Sequence, residues 1–265
     1  MIEKVLIISI LTFIIHAVET LSYGIRLAGV RTGKLAVALS LTGMIVLVSR
    51  TSNLAQAPMM GKIVDYAKLH AEYSLEAQLH IFIAAASLGT LFAIVFIPTA
   101  IRLSVSLISR LEETGSLPRL LRESVSIRKL KVVRRHVQMP SWAMLSRLRI
   151  GGVPKRLLIL NMLVTGIYTV GVLAALYASF LLPEYSVTAS QSSGLINGVA
   201  TILMTILVDP QVALMTDRAM SGNESLAQIN KMYGLLMFSR FFGTVLAQVL
   251  LVPGTYLITA VVPFW

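Results

Sequence analysis

The sequence predicts an all-α, polytopic membrane protein with about six transmembrane helices and both termini extracellular. Three observations carry this. Of 265 residues, 56% are hydrophobic and only 13% are charged, whereas a soluble domain carries about 25% charged residues. Six apolar runs are each near the roughly 20 residues a helix needs to cross a hydrocarbon core. The basic residues between these runs fall on alternate sides, as the positive-inside rule requires. The length leaves no room for a large soluble domain, so residues 1–265 read as a single transmembrane domain.

The first span is expected at Glu3–Tyr23. Lys4 is its only early cation, His16 and Glu19 interrupt the apolar run, and no small-residue cleavage site follows. It reads as a retained helix rather than a signal peptide. The second, Lys34–Met59, carries Arg50. The third is Leu79–Ile101 and the fourth Leu157–Leu182. The fifth, Ser193–Ala213, contains Asp209–Pro210. The sixth is Tyr233–Val262, where Pro253–Gly254 is expected to kink the helix or split off a short terminal piece.

The loops set the orientation. The first holds Arg26 and Arg31 without an acid, and the second mixes Lys62 and Lys68 with Asp65, Glu72 and Glu76. The third, roughly 102–156, holds thirteen Lys/Arg against Glu112, Glu113 and Glu123. The fourth has only Glu184, and the fifth is balanced. Loops one, three and five are therefore cytoplasmic. The net charge of +11 resides mostly in one loop, which argues against a nucleic-acid partner. Within it Leu120, Leu121, Val125, Leu130 and Val133 recur near helical spacing among arginines and lysines. Residues 102–156 thus read as a basic amphipathic cytoplasmic loop that sets topology and adheres to anionic inner-leaflet lipids. No strong internal repeat is visible. Because a carrier's cavity usually lies between two repeats or bundles, a homodimer is an expected partner arrangement.

Charges inside the spans are the candidate functional residues, since each costs about 2.5–3.5 kcal/mol at bilayer depth. On the first helix Thr12, His16, Glu19, Tyr23 and Arg26 form one stripe; on the second, Ser49, Asn53 and Gln56 do so beside Arg50. Asn197, Thr201, Thr205 and Asp209 follow on the fifth helix, and Arg240, Thr244 and Gln248 on the sixth. Four polar faces imply a polar interior. At about 1.5 Å per residue, Glu19, Asp209 and Arg240 fall in the cytoplasmic third and Arg50 in the outer half. An Asp209–Arg240 ion pair with Glu19 nearby is then expected, structural or coupling in role. His16 reads first as a packed core residue. Arg50 has no acid at its own depth, and an anionic ligand is its candidate partner.

Enzyme signatures fail. Without cysteine there is no thiolate nucleophile, and the four histidines form no HxxxH or HExxH pair, so neither a metal nor any other cofactor is called for. The segment from Gly29 to Lys34 is one residue short of a P-loop and lacks the following Ser/Thr. Glu112–Glu113 lacks the Arg four residues on that an intramembrane glutamate protease needs, and no G-x-S-x-G elbow exists.

The run LAGVRTGKLAVALS from Leu27, VSRTSN from Val48, GVPKR from Gly152, LNMLVT from Leu160 and LINGVATIL from Leu195 resemble the Amj family, the alternate lipid II flippases of Bacillus-type bacteria. The resemblance extends from Met1 to the last span. It implies a multi-pass transporter of the bacterial cytoplasmic membrane, not an enzyme. Its cargo would be undecaprenyl-diphosphate-linked peptidoglycan precursor, moved from inner to outer leaflet by alternating access without direct ATP use. It supplies no catalytic motif. On the residues themselves, Arg26, Arg31 and Lys34 at the inner mouth and Arg50 further out, with Asn53 and Gln56, are the expected contacts for an anionic headgroup. His16, Glu19, Asp209 and Arg240 are the expected coupling or ion-pair group. The alternatives are a polyprenyl-phosphate-processing membrane enzyme and a non-catalytic cell-envelope scaffold.

Overall fold

The computed structural model describes residues 1–114 and 151–264, the side chains of 112–114 excepted. Among the described residues six helical stretches are long and apolar enough to cross a membrane: Ile2–Thr32, Leu35–Leu69, Leu75–Leu111, Lys155–Leu181, Pro183–Met220 and Leu226–Phe264. The first four correspond to α1 (Ile2–Thr32), α2 (Leu35–Leu69), α3 (Leu75–Thr114) and α4 (Lys155–Leu181). The fifth stretch is composite: a 3₁₀ turn (Pro183–Tyr185), α5 (Ser186–Gln191), α6 (Ser193–Leu203), a π-helical stretch (Met204–Val208) and α7 (Asp209–Met220). The last is α8 (Leu226–Val261), closed by a 3₁₀ turn.

The helices outrun the apolar windows that reveal them. Lys62, Asp65 and Lys68 lie on α2 and Glu76 on α3, so the second loop shrinks to residues 70–74. Likewise α3 continues through Arg102 and Arg110 to Thr114, and the basic segment expected from 102 begins inside a helix. Its amphipathic part, Leu120 to Arg135, lies outside the described residues. Hydropathy marks only the part of a helix that needs lipid, while helical hydrogen bonding carries on into the polar ends. Pro253–Gly254 does not split off a terminal piece. α8 runs on to Val261 with Pro253 inside it, and α2 and α3 likewise contain Pro58 and Pro98. One lost ladder bond is tolerated where neighbouring helices hold the segment in place.

The segment that superficially suggests a P-loop is a helix cap. Gly33 adopts φ 70 at the end of α1, and the Lys34 N–H returns to the Gly29 carbonyl at 2.9 Å, closing the turn into α2. Elsewhere small residues set how closely helices approach. A Cβ on Gly89 of α3 would fall 2.3 Å from the Phe13 carbonyl oxygen of α1, and one on Gly243 of α8 would fall 2.5 Å from that of Met162 in α4. α1 packs on α3 and α2, and α8 packs on α4.

Two apolar clusters divide the bundle along its length. One contains Ile25, Leu27 and Ala28 on α1, Ala38 and Leu41 on α2, Leu157 on α4 and Ile229, Met232 and Leu236 on α8. The other contains Ile8 on α1, Met60, Ile63, Val64 and Ala67 on α2, Leu173 on α4 and Leu251 on α8. Glu19 on α1, Arg50 on α2, Thr165 on α4 and Arg240 on α8 lie between the two clusters.

Candidate functional site

The polar stripes converge on an open cavity of about 280 Å³. α1 contributes Glu19, Ser22, Tyr23 and Arg26, whose spacings of three, one and three residues keep them on one helical face. α2 adds Val46 and Arg50, and α4 adds Val164, Thr165 and Tyr168. The fifth span provides Ala200, Thr201, Met204, Thr205 and Asp209, and α8 provides Arg240. The π-helical stretch Met204–Val208 ends against Asp209–Pro210. Pro210 has no N–H to donate, and its ring crowds the carbonyl four residues back. One wider turn relieves that crowding and keeps Thr205 and Asp209 on the cavity wall, a frequent role of π insertions. The Gln211 side chain donates to the Leu207 carbonyl at 2.6 Å beside this disturbed ladder.

The cavity's three arginines have different surroundings. Arg240 is buried, and its Nη2 donates to Glu19 Oε2. The other Glu19 oxygen accepts from Ser49 Oγ at 2.9 Å. His16, buried one turn earlier, feels both charges. Arg26 is half-buried and is the charge that acts on Asp209. Arg50 is exposed into the cavity and has no ion-pair partner among the described residues. Arg26 Nε, Arg240 Nε and Thr165 Oγ1 are buried without a hydrogen-bond partner in the structure.

Arg240 therefore pairs with Glu19 and not with Asp209, and Arg50 shares one cavity with all of them instead of lying at a separate depth. The depth ruler fails because the helices extend well beyond their apolar windows, which moves Glu19, Arg50 and Arg240 toward mid-helix. The remaining expected contacts stand outside the cavity. Arg31 donates to Asn230 Oδ1 at 2.8 and 3.3 Å. Lys34 sits in the α1–α2 turn and Asn53 is half-buried on α2. Gln56 is buried and ties α2 to α1, accepting from Thr12 Oγ1 at 3.2 Å. Sequence reading missed Ser22, Thr165 and Tyr168. Thr165 and Tyr168, three residues apart on α4 and following Asn161 at helical spacing, were the available signal.

A second polar group lies beside the other apolar cluster. His80 Nδ1 is 2.6 Å from Gln248 Oε1, and the Tyr177 hydroxyl donates to Glu76 Oε2 at 2.6 Å. These bonds bridge α3 to α8 and to α4. Among the described residues no group of three or more His, Cys, Asp or Glu is placed to hold a metal ion.

The family described as "Amj: Alternate to MurJ" matches residues 11–262. The chain is 39% identical over 256 residues to the lipid II flippase Amj of Bacillus subtilis (strain 168), an alignment covering 96% of this chain and 95% of that protein. No solved structure matches the chain. A multi-pass membrane protein with a charged cavity inside its helices, matched along nearly its whole length, the chain belongs to the Amj family.

Proposed function

We propose that this chain is a lipid II flippase, a transporter that moves the undecaprenyl-diphosphate-linked disaccharide-pentapeptide from the inner to the outer leaflet of the bacterial cytoplasmic membrane. The observation that carries the proposal is the cavity itself, three guanidinium groups against two carboxylates within helices of spanning length, one of them without a counter-ion. An anionic headgroup meets bidentate donors there, while the prenyl tail stays in lipid. Arg50 is the first contact for the diphosphate, with Arg26 beside it. Glu19, Arg240 and His16 form the structural or coupling group.

The basic loop segment faces the cytoplasm against anionic lipids, and both termini lie outside. The two apolar clusters flanking the cavity serve as inner and outer seals for alternating access, and a second copy of the chain completes the transport path. The membrane potential, inside negative, favours outward passage of an anion by about 2.3 kcal/mol per charge per 100 mV, so no ATP is required.

The test is reconstitution into liposomes with fluorescent lipid II, with and without an imposed potential. The proposal expects chemically unchanged lipid to cross, faster when the receiving side is positive. A processing enzyme would return altered lipid, and a scaffold would leave the lipid on its original side.

A further inference from the structure

We infer that the prenyl chain of the cargo leaves the cavity sideways into lipid between α2 and the fifth span, through a portal edged by Leu47 and Leu54 on one side and Ile202 and Ile206 on the other. This rests on the flippase reading and adds where the lipid half of the substrate is held. The cavity is walled by α1, α2, α4, the fifth span and α8. Going round it, α2 packs on α1, α1 on α8, α8 on α4, and α4 on both α6 and the π-helical stretch of the fifth span. The remaining joint, α2 against the fifth span, shows no such packing among the described residues. That gap is closed at its two ends. At one, the Lys68 ammonium near the end of α2 donates to Ser186 Oγ at the start of α5, at 2.6 Å. At the other, α7 lies against α1 and α8, and its Thr216 hydroxyl is 3.2 Å from that of Tyr233.

The side chains on the two edges suit a hydrocarbon chain. Leu47 and Leu54 stand three residues before and four after Arg50, on the face that turns it into the cavity. They are 61% and 77% exposed and lie about 10 Å apart along α2. Across the gap, Ile202 and Ile206 each follow a cavity-lining threonine, Thr201 and Thr205, by one residue. One residue turns them just outside the cavity wall, where they are 57% and 65% exposed. Apolar exposure alone is ordinary on a lipid-facing helix, and Leu88 of α3 is 59% exposed. The four edge residues differ from it because each adjoins a polar cavity residue and faces a gap between helices. Charged and polar groups at membrane depth turn toward a cavity while apolar ones face lipid, so the boundary between the two environments runs along these edges. An amphiphile spans that boundary within one molecule, with its anionic head beside Arg50 and its chain along the leucines and isoleucines. A soluble anion has no use for apolar edges. A ring of helices closed on every side would force the chain through the polar groups of the wall.

The experiment places the full chain in liposomes with lipid II that carries a photoactivatable diazirine on its prenyl chain, and maps the adducts by peptide mass spectrometry. Adducts are expected on α2 about Leu47 and Leu54 and on the fifth span about Ile202 and Ile206, and excess unlabelled lipid II is expected to suppress them. A phospholipid bearing the same diazirine should mark lipid-facing helices generally, α3 at Leu88 included, without suppression by lipid II. The chain has no cysteine, so Leu47→Cys, Ile202→Cys and Leu88→Cys each present a single thiol. Relative to the same variant unlabelled, a bulky maleimide on either of the first two is expected to stop lipid II transport while the protein stays monodisperse, and on Leu88→Cys to leave transport unchanged. Suppressible adducts confined to other helices, or transport that survives labelling at both edges, would overturn the inference. If lipid II crosses and its suppressible adducts lie elsewhere, the flippase reading stands and this one falls. If suppressible adducts lie on the two edges but lipid II does not cross, the flippase reading falls and the portal stands as a polyprenyl-binding site.

Discussion

Replacing Glu19 with alanine should destabilise the protein through a charge it never touches covalently. Arg240 and Glu19 expose only 10% and 15% of their side chains. Removing the carboxylate leaves the guanidinium buried without a counter-ion, and breaking a buried pair in this way costs about 3–5 kcal/mol. Ser49 loses its acceptor as well, a further ~1 kcal/mol. Both members border an open cavity that admits water, which places the cost of the broken pair at the lower end, about 3 kcal/mol, or about 4 kcal/mol with Ser49. For a chain of this size each kcal/mol moves the midpoint by about 2–4 °C, so heating in detergent should lose folded protein roughly 8–16 °C earlier. Glu19→Gln keeps an oxygen for Ser49 or Arg240 and should lose clearly less. The exchanged pair Glu19→Arg with Arg240→Glu should recover part of the loss, because the two heads face each other. The assay is the monodisperse fraction by size exclusion after a heating series. The reasoning is refuted if Glu19→Ala melts with the native protein, or if the exchanged pair is no more stable than either single change.

Four further outcomes follow from the same geometry. Arg50→Ala should abolish lipid II transport in liposomes while leaving the melting midpoint unchanged, since Arg50 is exposed and carries no ion pair among the described residues; a matched fall in stability would contradict this. Gly243→Ala should sharply lower the folded yield, because the new Cβ would lie 2.5 Å from the Met162 carbonyl oxygen and 2.7 Å from Thr165 Cβ, and backbone cannot yield as a flexible side chain can. Asn161→Ala should cost about 1–3 kcal/mol by stripping the bonds to the Leu236 carbonyl at 3.0 Å and Ser239 Oγ at 2.6 Å, read as an earlier melt with transport retained at low temperature. Asp209→Asn should leave the melting midpoint closer to native than Glu19→Ala does, since Asp209 lacks the buried ion pair that Glu19 makes; equal losses would argue against the pairing.

Helix number and polar faces were legible because both follow from periodicity and length alone. The stripe from Thr12 to Arg26 needs only the 3.6-residue turn to be recognised as one face, and Glu19, Tyr23 and Arg26 of that stripe do line the cavity. Pairing between helices was not legible. It depends on relative depth, and apolar windows, the only ruler for depth in a sequence, end well inside the helices. A window ending at Met59 hides the turns of α2 carrying Lys62, Asp65 and Lys68. A window opening at Tyr233 likewise hides the first two turns of α8. That offset is enough to assign Arg240 to Asp209 instead of Glu19. Arg31 and Gln56 show a different limit. They share charge or polarity with the cavity residues, but their partners, Asn230 and Thr12, lie on other helices and become visible only with packing.

The balance of charge in the cavity has a physical logic of its own. A wall carrying three arginines and no acids would hold a diphosphate strongly in a low-dielectric site and release it slowly, whereas transport needs binding that is favourable yet reversible. Glu19 and Asp209 offset that attraction in different ways. Glu19 engages Arg240 directly, so the guanidinium can serve a ligand only by sharing its donors, and Asp209 tempers Arg26 from a greater distance. Arg50 has no ion-pair partner among the described residues. On the proposed reading, initial capture of the anion would fall to this one exposed residue. Removing an acid should therefore tighten binding and slow release, so that a stabilised Asp209→Asn variant would hold more lipid II at equilibrium and turn over less of it. Faster turnover with tighter binding would mean that release is limited elsewhere.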